Sequence, residues 1–405
     1  MKKNGNGSIF APVRKLLIFH YLRIYLRILS SCLKTFGFGM WFFYFLLKIP
    51  MKVLYVHVSM FLDNIFFPGW RRVKIENPVF VIGHPRSATT FLHEILTSAD
   101  DFLVFKDWEM NHPSLTMRAL LKRSKTMRLL ASLVSDLRFS PYRIRQQIKR
   151  RKDEAGMGKV VEDYKENQEL TAHEEELLFL HVLDSQFLTL ETPLGFVKHG
   201  YPELCYHDEK PHQEKSVRFF KDCFKRQLYC TGKKQIMAKM NFSLFRIRTL
   251  LKVFPDAKII HLVRSPLQTM PSHFSLHRRL LDRQFGLDNI GADKLDQYFE
   301  HRYNYNVLFY KYFDEIIKNN VIPQEQIMEI TYDSIKKDFQ GAMRQIKEFA
   351  NLEFSPELEE KLKAQDQQQS SYKRKHKNLP LEAFNVTEEQ IRDDLAFVFE
   401  QYGFK

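Results

Sequence analysis

The chain has 405 residues with 62 Lys and Arg against 48 Asp and Glu; 44% of its side chains are apolar and 14% aromatic. Those values exclude a disordered or low-complexity polypeptide, and the length is sufficient for a large buried core. Four cysteines in no C-x-x-C pair (Cys32, Cys205, Cys223, Cys230) exclude a disulfide scaffold and a standard zinc site, and they suit a reducing compartment.

The net charge of +14 is unevenly placed. Residues 1–75 hold twelve Lys and Arg against one acid, Asp63, so the other 330 residues carry only +3. A nucleic-acid-binding domain carries its basic surface on the folded body, so nucleic acid is not an expected partner. The N-terminal stretch is also the most apolar. Leu16–Leu29 places Arg23 and Arg27 four apart on one helical face; Phe36–Leu47 and Val53–Phe67 are apolar runs shorter than a span of about 20 residues. Pro50, between Lys48 and Lys52, sits where a continuous helix would have to pass. The pattern predicts amphipathic helices lying in a membrane interface over 1–75, with the remainder, 76–405, as the catalytic domain. A re-entrant hairpin or a tilted span stays open, and a cleaved signal peptide is not expected.

Asn77–His93 reads NPVFVIGHPRSATTFLH. Val79–Ile82 is a buried-type strand, Gly83-His84-Pro85 breaks it, and Ser87–Thr90 opens a helix. Free backbone N–H groups and the positive helix end suit an anion there; Arg86, Ser87, Thr89 and Thr90 add donors. A nucleotide-triphosphatase loop would need G-K-[ST] and a later acid, neither of which stands here. A second strand, Ile259–Val263, ends in Arg264; Ser265-Pro266 opens a helix that carries Ser272 eight residues after Arg264. A third, Gln235–Lys239, ends in Lys239, and Met328–Tyr332 reads as a fourth, followed by a helix over Asp338–Leu352. Ligands of parallel sheets gather at such carboxyl ends.

Pro85–Leu92 resembles the 5′-phosphosulfate loop P-[KR]-S-G-T-T-x-[LW] of sulfotransferases that use 3′-phosphoadenosine 5′-phosphosulfate (PAPS), with Ala88 in place of the usual Gly. Phe254–Lys258 and Arg264 to Ser272 resemble the family's 3′-phosphate motif, in the right order and about 180 residues further on. Trp108-Glu109 with Pro113 is similar to a W-E-x-x-x-P pattern of the bacterial branch, and Glu174-Glu175-Glu176 after His173 resembles an acidic P-E-E segment of that branch.

The resemblance implies an α/β fold: a parallel sheet flanked by helices with a P-loop-like phosphosulfate loop, here preceded by amphipathic N-terminal helices. It implies sulfonate transfer from PAPS to a hydroxyl, leaving PAP and needing no metal. Arg86, Ser87, Ala88, Thr89 and Thr90 would hold the phosphosulfate, and Arg264, Ser272, Arg374 and Lys375 the 3′-phosphate. Lys239 would help the leaving group depart. Glu109, beside Trp108, would be the general base, with Glu174, Glu175 or Glu176 as a second base or acceptor-positioning group. His84 and His93 are read as structural. The membrane-proximal N-terminus points to a lipid, sterol or lipid-linked glycan acceptor and to a cytoplasmic catalytic domain (Golgi-lumenal in a eukaryote). A kinase-like nucleotide enzyme and a non-catalytic, membrane-bound nucleotide-binding module are the rival expectations.

Overall fold

The computed structural model describes residues 11–137, 140–143, 145–146, 171–197, 213–232, 235–369 and 377–405. Its centre is a five-stranded sheet of β1 (Val79–Gly83), β2 (Phe102–Leu103), β3 (Gln235–Lys239), β4 (Lys258–Val263) and β5 (Ile327–Thr331). The spatial order is β2-β3-β1-β4-β5 and every pair is parallel. The four expected strands are all present. The edge strand β2 was not foreseen, because two residues are too few to display a period.

Strand periodicity separates the two faces. Val79 and Val81 join a buried cluster with Leu92, Ile260, Met343 and Ile346 on one side. Phe80 and Ile82 join Phe220, Phe224 and Phe309 on the other. The first cluster is covered by α3 (Thr89–Leu96) and by the helices Phe339–Phe349 and Pro356–Gln369, the second by the helices Gln213–Thr231 and Ala292–Lys318. Several boundaries shift by one to three residues from those expected, and two of the shifts have a capping cause. Tyr332 leaves the strand to open a helix because the Thr331 hydroxyl caps the Ser334 N–H. Asp338 likewise stays outside its helix, its carboxylate accepting from the Gly341 N–H at 2.8 Å.

At the N-terminus, α1 (Ala11–Phe36) and α2 (Met40–Phe66) form an antiparallel pair. Contrary to the expectation for Pro50, α2 runs through it without a break. Proline removes the donor owed to the carbonyl four residues earlier. That carbonyl, on Leu46, instead accepts the Tyr25 hydroxyl of α1 at 3.0 Å. Both helices dock on the body: Ile24, Ile28, Trp41 and Phe45 share a buried cluster with Phe274 and Phe285. Among the described residues, α2 is the helix long and apolar enough, by length and composition, to cross a membrane.

The deepest tie between these helices and the body is Asp63. Its buried carboxylate accepts from Arg226 Nε at 2.7 Å, Ser114 Oγ at 2.7 Å, the backbone N–H groups of Leu115 and Thr116, and the Thr116 hydroxyl. Arg226 in turn stacks on Trp70 at 3.7 Å. Removing one partner strands a charge away from water. Asp63→Ala is therefore expected to lower stability by about 3–5 kcal/mol, read as a shift of the urea unfolding midpoint; an unchanged midpoint would show the pair to be dispensable.

Candidate active site

The turn after β1 is strained in a way that sequence alone only half predicts. Arg86 and Ala88 both take left-handed backbone conformations, with φ of 76° and 74°. A side chain in that region costs about 1–2 kcal/mol, so Ala88 holds by packing a geometry that glycine would adopt freely. Gly83 is fixed by a different demand: a Cβ there would lie 2.5 Å from the Leu262 carbonyl of β4. The tight turn leaves α3 with its N-terminus aimed out of the sheet edge. Beneath it, the Ser87 Oγ is fully buried and has no hydrogen-bond partner among the described residues. A buried orphan hydroxyl at a helix start is a ready donor for an oxyanion.

The two phosphate motifs, so far apart in the chain, meet. Arg86 Nε donates to Ser272 Oγ at 3.1 Å, and Arg264 Nη1 donates to the Arg86 carbonyl at 3.2 Å. Arg264 lies over the Tyr332 ring at 4.2 Å and donates through Nε to Gln268 at 2.9 Å. Tyr310 OH, in turn, donates to the Arg264 carbonyl. Arg86 thus stands with the second motif rather than with Lys239. His84 is buried flat against Tyr310 at 4.9 Å, and burial lowers its pKa to about 4, which keeps it neutral under the loop.

At the other end of the loop, Lys239 closes β3. Its ammonium donates to Thr90 Oγ1 at 3.0 Å and to the Glu174 carboxylate. Glu174 keeps 22% of its side chain exposed, yet its Oε1 is buried and has no hydrogen-bond partner among the described residues. Burial raises the Glu174 pKa, with the Lys239 charge opposing the shift. Glu175 accepts from the Lys239 N–H at 2.8 Å and approaches His93 Nε2 at 3.6 Å. Glu176 accepts from the Phe242 N–H at 2.7 Å. Burial pushes both of these carboxyls up to about 7. Glu175 and Glu176 thus form a buried acidic seam under the sheet edge, with Glu174 at its part-exposed end.

With the arginines and Ser272 at one end of a helix-capping loop and Lys239, Thr90 and Glu174 at the other, the comparison with known proteins is decisive. A model of the sulfotransferase family matches residues 78–356. The chain belongs to that family. Among curated proteins it is 27% identical over 284 residues to the omega-hydroxy-beta-dihydromenaquinone-9 sulfotransferase Stf3 of Mycobacterium bovis and of Mycobacterium tuberculosis. The match takes in 68% of this chain but 63% of those relatives' length. Among solved structures, sulfotransferase STF9 from Mycobacterium avium superposes with a TM-score of 0.65 at 16% identity, covering 99% of this chain and 98% of that one. Sulfotransferase STF1 from Mycobacterium tuberculosis H37Rv gives 0.60 at 16% identity, covering 93% and 92%. At these identities the likeness speaks for the fold, which includes the N-terminal helices.

Other expected site residues of this sulfotransferase-family chain stand elsewhere. Glu109 caps the short helix α4 (Asp107–Asn111): its carboxylate accepts from the Lys106 N–H at 2.9 Å and from Gln227 Nε2 at 3.0 Å, and its partners are not loop residues. The neighbouring Trp108 is covered by the Arg128 guanidinium at 4.3 Å. Arg374 and Lys375 lie outside the described residues. His93, between the Met237 carbonyl and His173, is buried and neutral, its pKa lowered to about 4. Tyr310, which braces the arginine end, carried no motif and was missed; the sequence places Tyr332 only at the close of a strand, not against Arg264.

Two loop substitutions separate the strains. Ala88→Gly is expected to raise unfolding stability by up to about 1 kcal/mol, since it removes a left-handed alanine. Gly83→Ala is expected to lower it by about 1–3 kcal/mol through the clash with Leu262. Urea titration of both variants reads the pair, and equal effects of the same sign would contradict the geometry.

Proposed function

We propose that the protein transfers the sulfonate of PAPS to the hydroxyl of an acceptor and releases PAP. PAPS supplies the activated sulfur–oxygen bond; the chain supplies grip, charge and a proton acceptor. The N–H groups of the turn, Ser87 Oγ and the hydroxyls of Thr89 and Thr90 bind the phosphosulfate. Arg264 and Ser272 hold the 3′-phosphate, and Arg86, turned toward Ser272, bridges the two ends; Arg374 and Lys375 join them on resemblance alone. Lys239, already on Thr90, balances the charge that collects on the bridging oxygen when its bond to sulfur breaks.

For the proton of the attacking hydroxyl we assign Glu174 rather than Glu109. The observation that carries the reading is the orphaned Glu174 Oε1 beside Lys239 and Thr90. It is a buried acceptor whose one missing partner a substrate O–H would supply. The Glu109 oxygen is instead committed to two N–H donors. The names of the mycobacterial relatives support a hydroxylated lipid as acceptor. Residues 1–75 would then serve as the membrane-contacting part and 76–405 as the catalytic part. The free thiols Cys32, Cys223 and Cys230 accord with a reducing, cytoplasmic setting for the latter.

Steady-state kinetics with labelled PAPS and a panel of hydroxylated lipids, beside calorimetry with PAP, tests the assignment. Glu174→Gln should lower kcat by about 10²–10⁴-fold and leave PAP affinity within about twofold. Glu109→Gln should stay within about tenfold of native turnover. Arg264→Ala should weaken PAP about ten- to hundredfold through loss of charge-assisted hydrogen bonds. A base works deprotonated, so native kcat should fall as pH drops through the raised Glu174 pKa, and the Glu174→Gln profile should lack that limb. Native-like turnover by Glu174→Gln would remove it from the mechanism. PAP binding indifferent to Arg264 would remove the sulfotransferase reading.

A further inference from the structure

Among the described residues twenty large apolar side chains are exposed, and eighteen of them fall in two stretches, Phe19–Phe66 and Leu120–Leu133. Scattered apolar residues need no explanation; a gathered surface does. Along α2 they recur every three or four positions (Phe43, Leu47, Met51, Leu54, Val58, Phe61), a continuous stripe on one helical face. The opposite face of α2 is pinned to the body over nearly its whole length. Tyr44 OH donates to the Leu137 carbonyl, Lys48 to that of Leu133, Lys52 to that of Ser135, and Ser114 donates to that of Ser59. These bonds lay α5 (Leu115–Leu121) and α6 (Lys125–Ser135) beside α2. The exposed Leu120, Met127, Leu130 and Leu133 therefore extend the α2 stripe with residues of the catalytic body.

The charge on this surface has one sign. Between Phe19 and Lys74 the single acid is Asp63, buried on Arg226, and between Leu115 and Ser135 there is none. Lys122, Arg123 and Lys125 are exposed at the α5–α6 turn, and Arg71, Arg72 and Lys74 at the foot of α2. Cations around an apolar plane complement an anionic lipid leaflet.

We infer that α2 and the α5–α6 pair together form one face that docks flat on an anionic leaflet, with α2 in the plane of the membrane and not across it. The inference deepens the membrane-surface part of the reading above and rests on it. A transmembrane placement of α2 would carry Asp63, Lys48 and Lys52 into hydrocarbon and leave Arg226 buried without its carboxylate. The in-plane placement breaks none of these contacts. It also sets the membrane one helix away from the chemistry: Lys52 meets His181 at 3.0 Å, on the same turn, Glu175–Val182, that follows Glu174.

The test is co-sedimentation of the full chain with phosphatidylcholine vesicles, with and without phosphatidylglycerol, while PAP calorimetry on each variant reports the fold and the nucleotide site separately. The native chain should bind the anionic vesicles, with binding weakened by high salt. Leu47→Glu/Leu54→Glu and Leu130→Glu/Leu133→Glu should each reduce partitioning by about tenfold or more, with PAP affinity unchanged. Should either Glu pair lose PAP binding, the same positions as Ser take its place, with a reduction of at least several-fold expected. Native binding by the α6 variant would overturn the shared face and leave N-terminal membrane contact standing. No vesicle binding by the native chain would overturn both, with PAP binding still able to uphold the sulfotransferase reading. Self-association of the native chain without lipid, lost in these variants, would assign the face to a second copy. Membrane-bound chain that resists alkaline carbonate would put α2 across the bilayer; either result overturns the inference.

Discussion

In a sheet whose strands all run the same way, every carboxyl end arrives at the same edge, and the chemistry of this protein depends on that alignment. β1 lies at the middle, paired with β3 on one side and β4 on the other, with Val81 opposite Lys239 and Gly83 opposite Leu262. Lys239, Arg264 and the turn after Gly83 are therefore neighbours because of register, although 178 positions separate Arg86 from the Arg264 that donates to its carbonyl. The crowding that brings the β1 turn against β4 is also what forbids a side chain at Gly83. Close approach and site assembly are one event.

Buried charge does the remaining positioning, and it does so in two places with opposite characters. Asp63 is saturated: five donors converge on it and it acts as a rivet between α2 and the body. Glu174 is not saturated. One oxygen is held by Lys239 and the other has no donor among the described residues. An unsatisfied buried acceptor is unfavourable in the resting fold, and such groups are kept where a ligand completes them. Asp63, fully buried and fully paired, is a structural tie; Glu174, part-exposed, keeps one oxygen open toward a ligand.

Much of this was legible in the chain. The four longer strands and the tight turn after the first of them follow from short apolar runs punctuated by Gly, Pro and hydroxyl residues. What stayed hidden depended on tertiary contacts. Glu109 and Glu174 both sit in plausible acidic contexts, and only the contact with Gln227, on a helix more than a hundred residues away, shows Glu109 committed elsewhere. Pro50 marked a break that the Tyr25 hydroxyl cancels from another helix. Tyr310 and Tyr332 support Arg264 through a carbonyl and a ring face, contacts with no counterpart in local pattern.

Burial penalises the charge of Glu175 and Glu176 and pushes both carboxyls up to about 7. A polyanion held at the adjacent loop would make that charge less favourable still and so favour proton uptake by these carboxyls. The heat of nucleotide binding would then vary with the ionisation enthalpy of the buffer, and affinity would decline as the solution is made alkaline. Acidity in the surroundings would thereby assist substrate capture, independent of any proton moved during turnover.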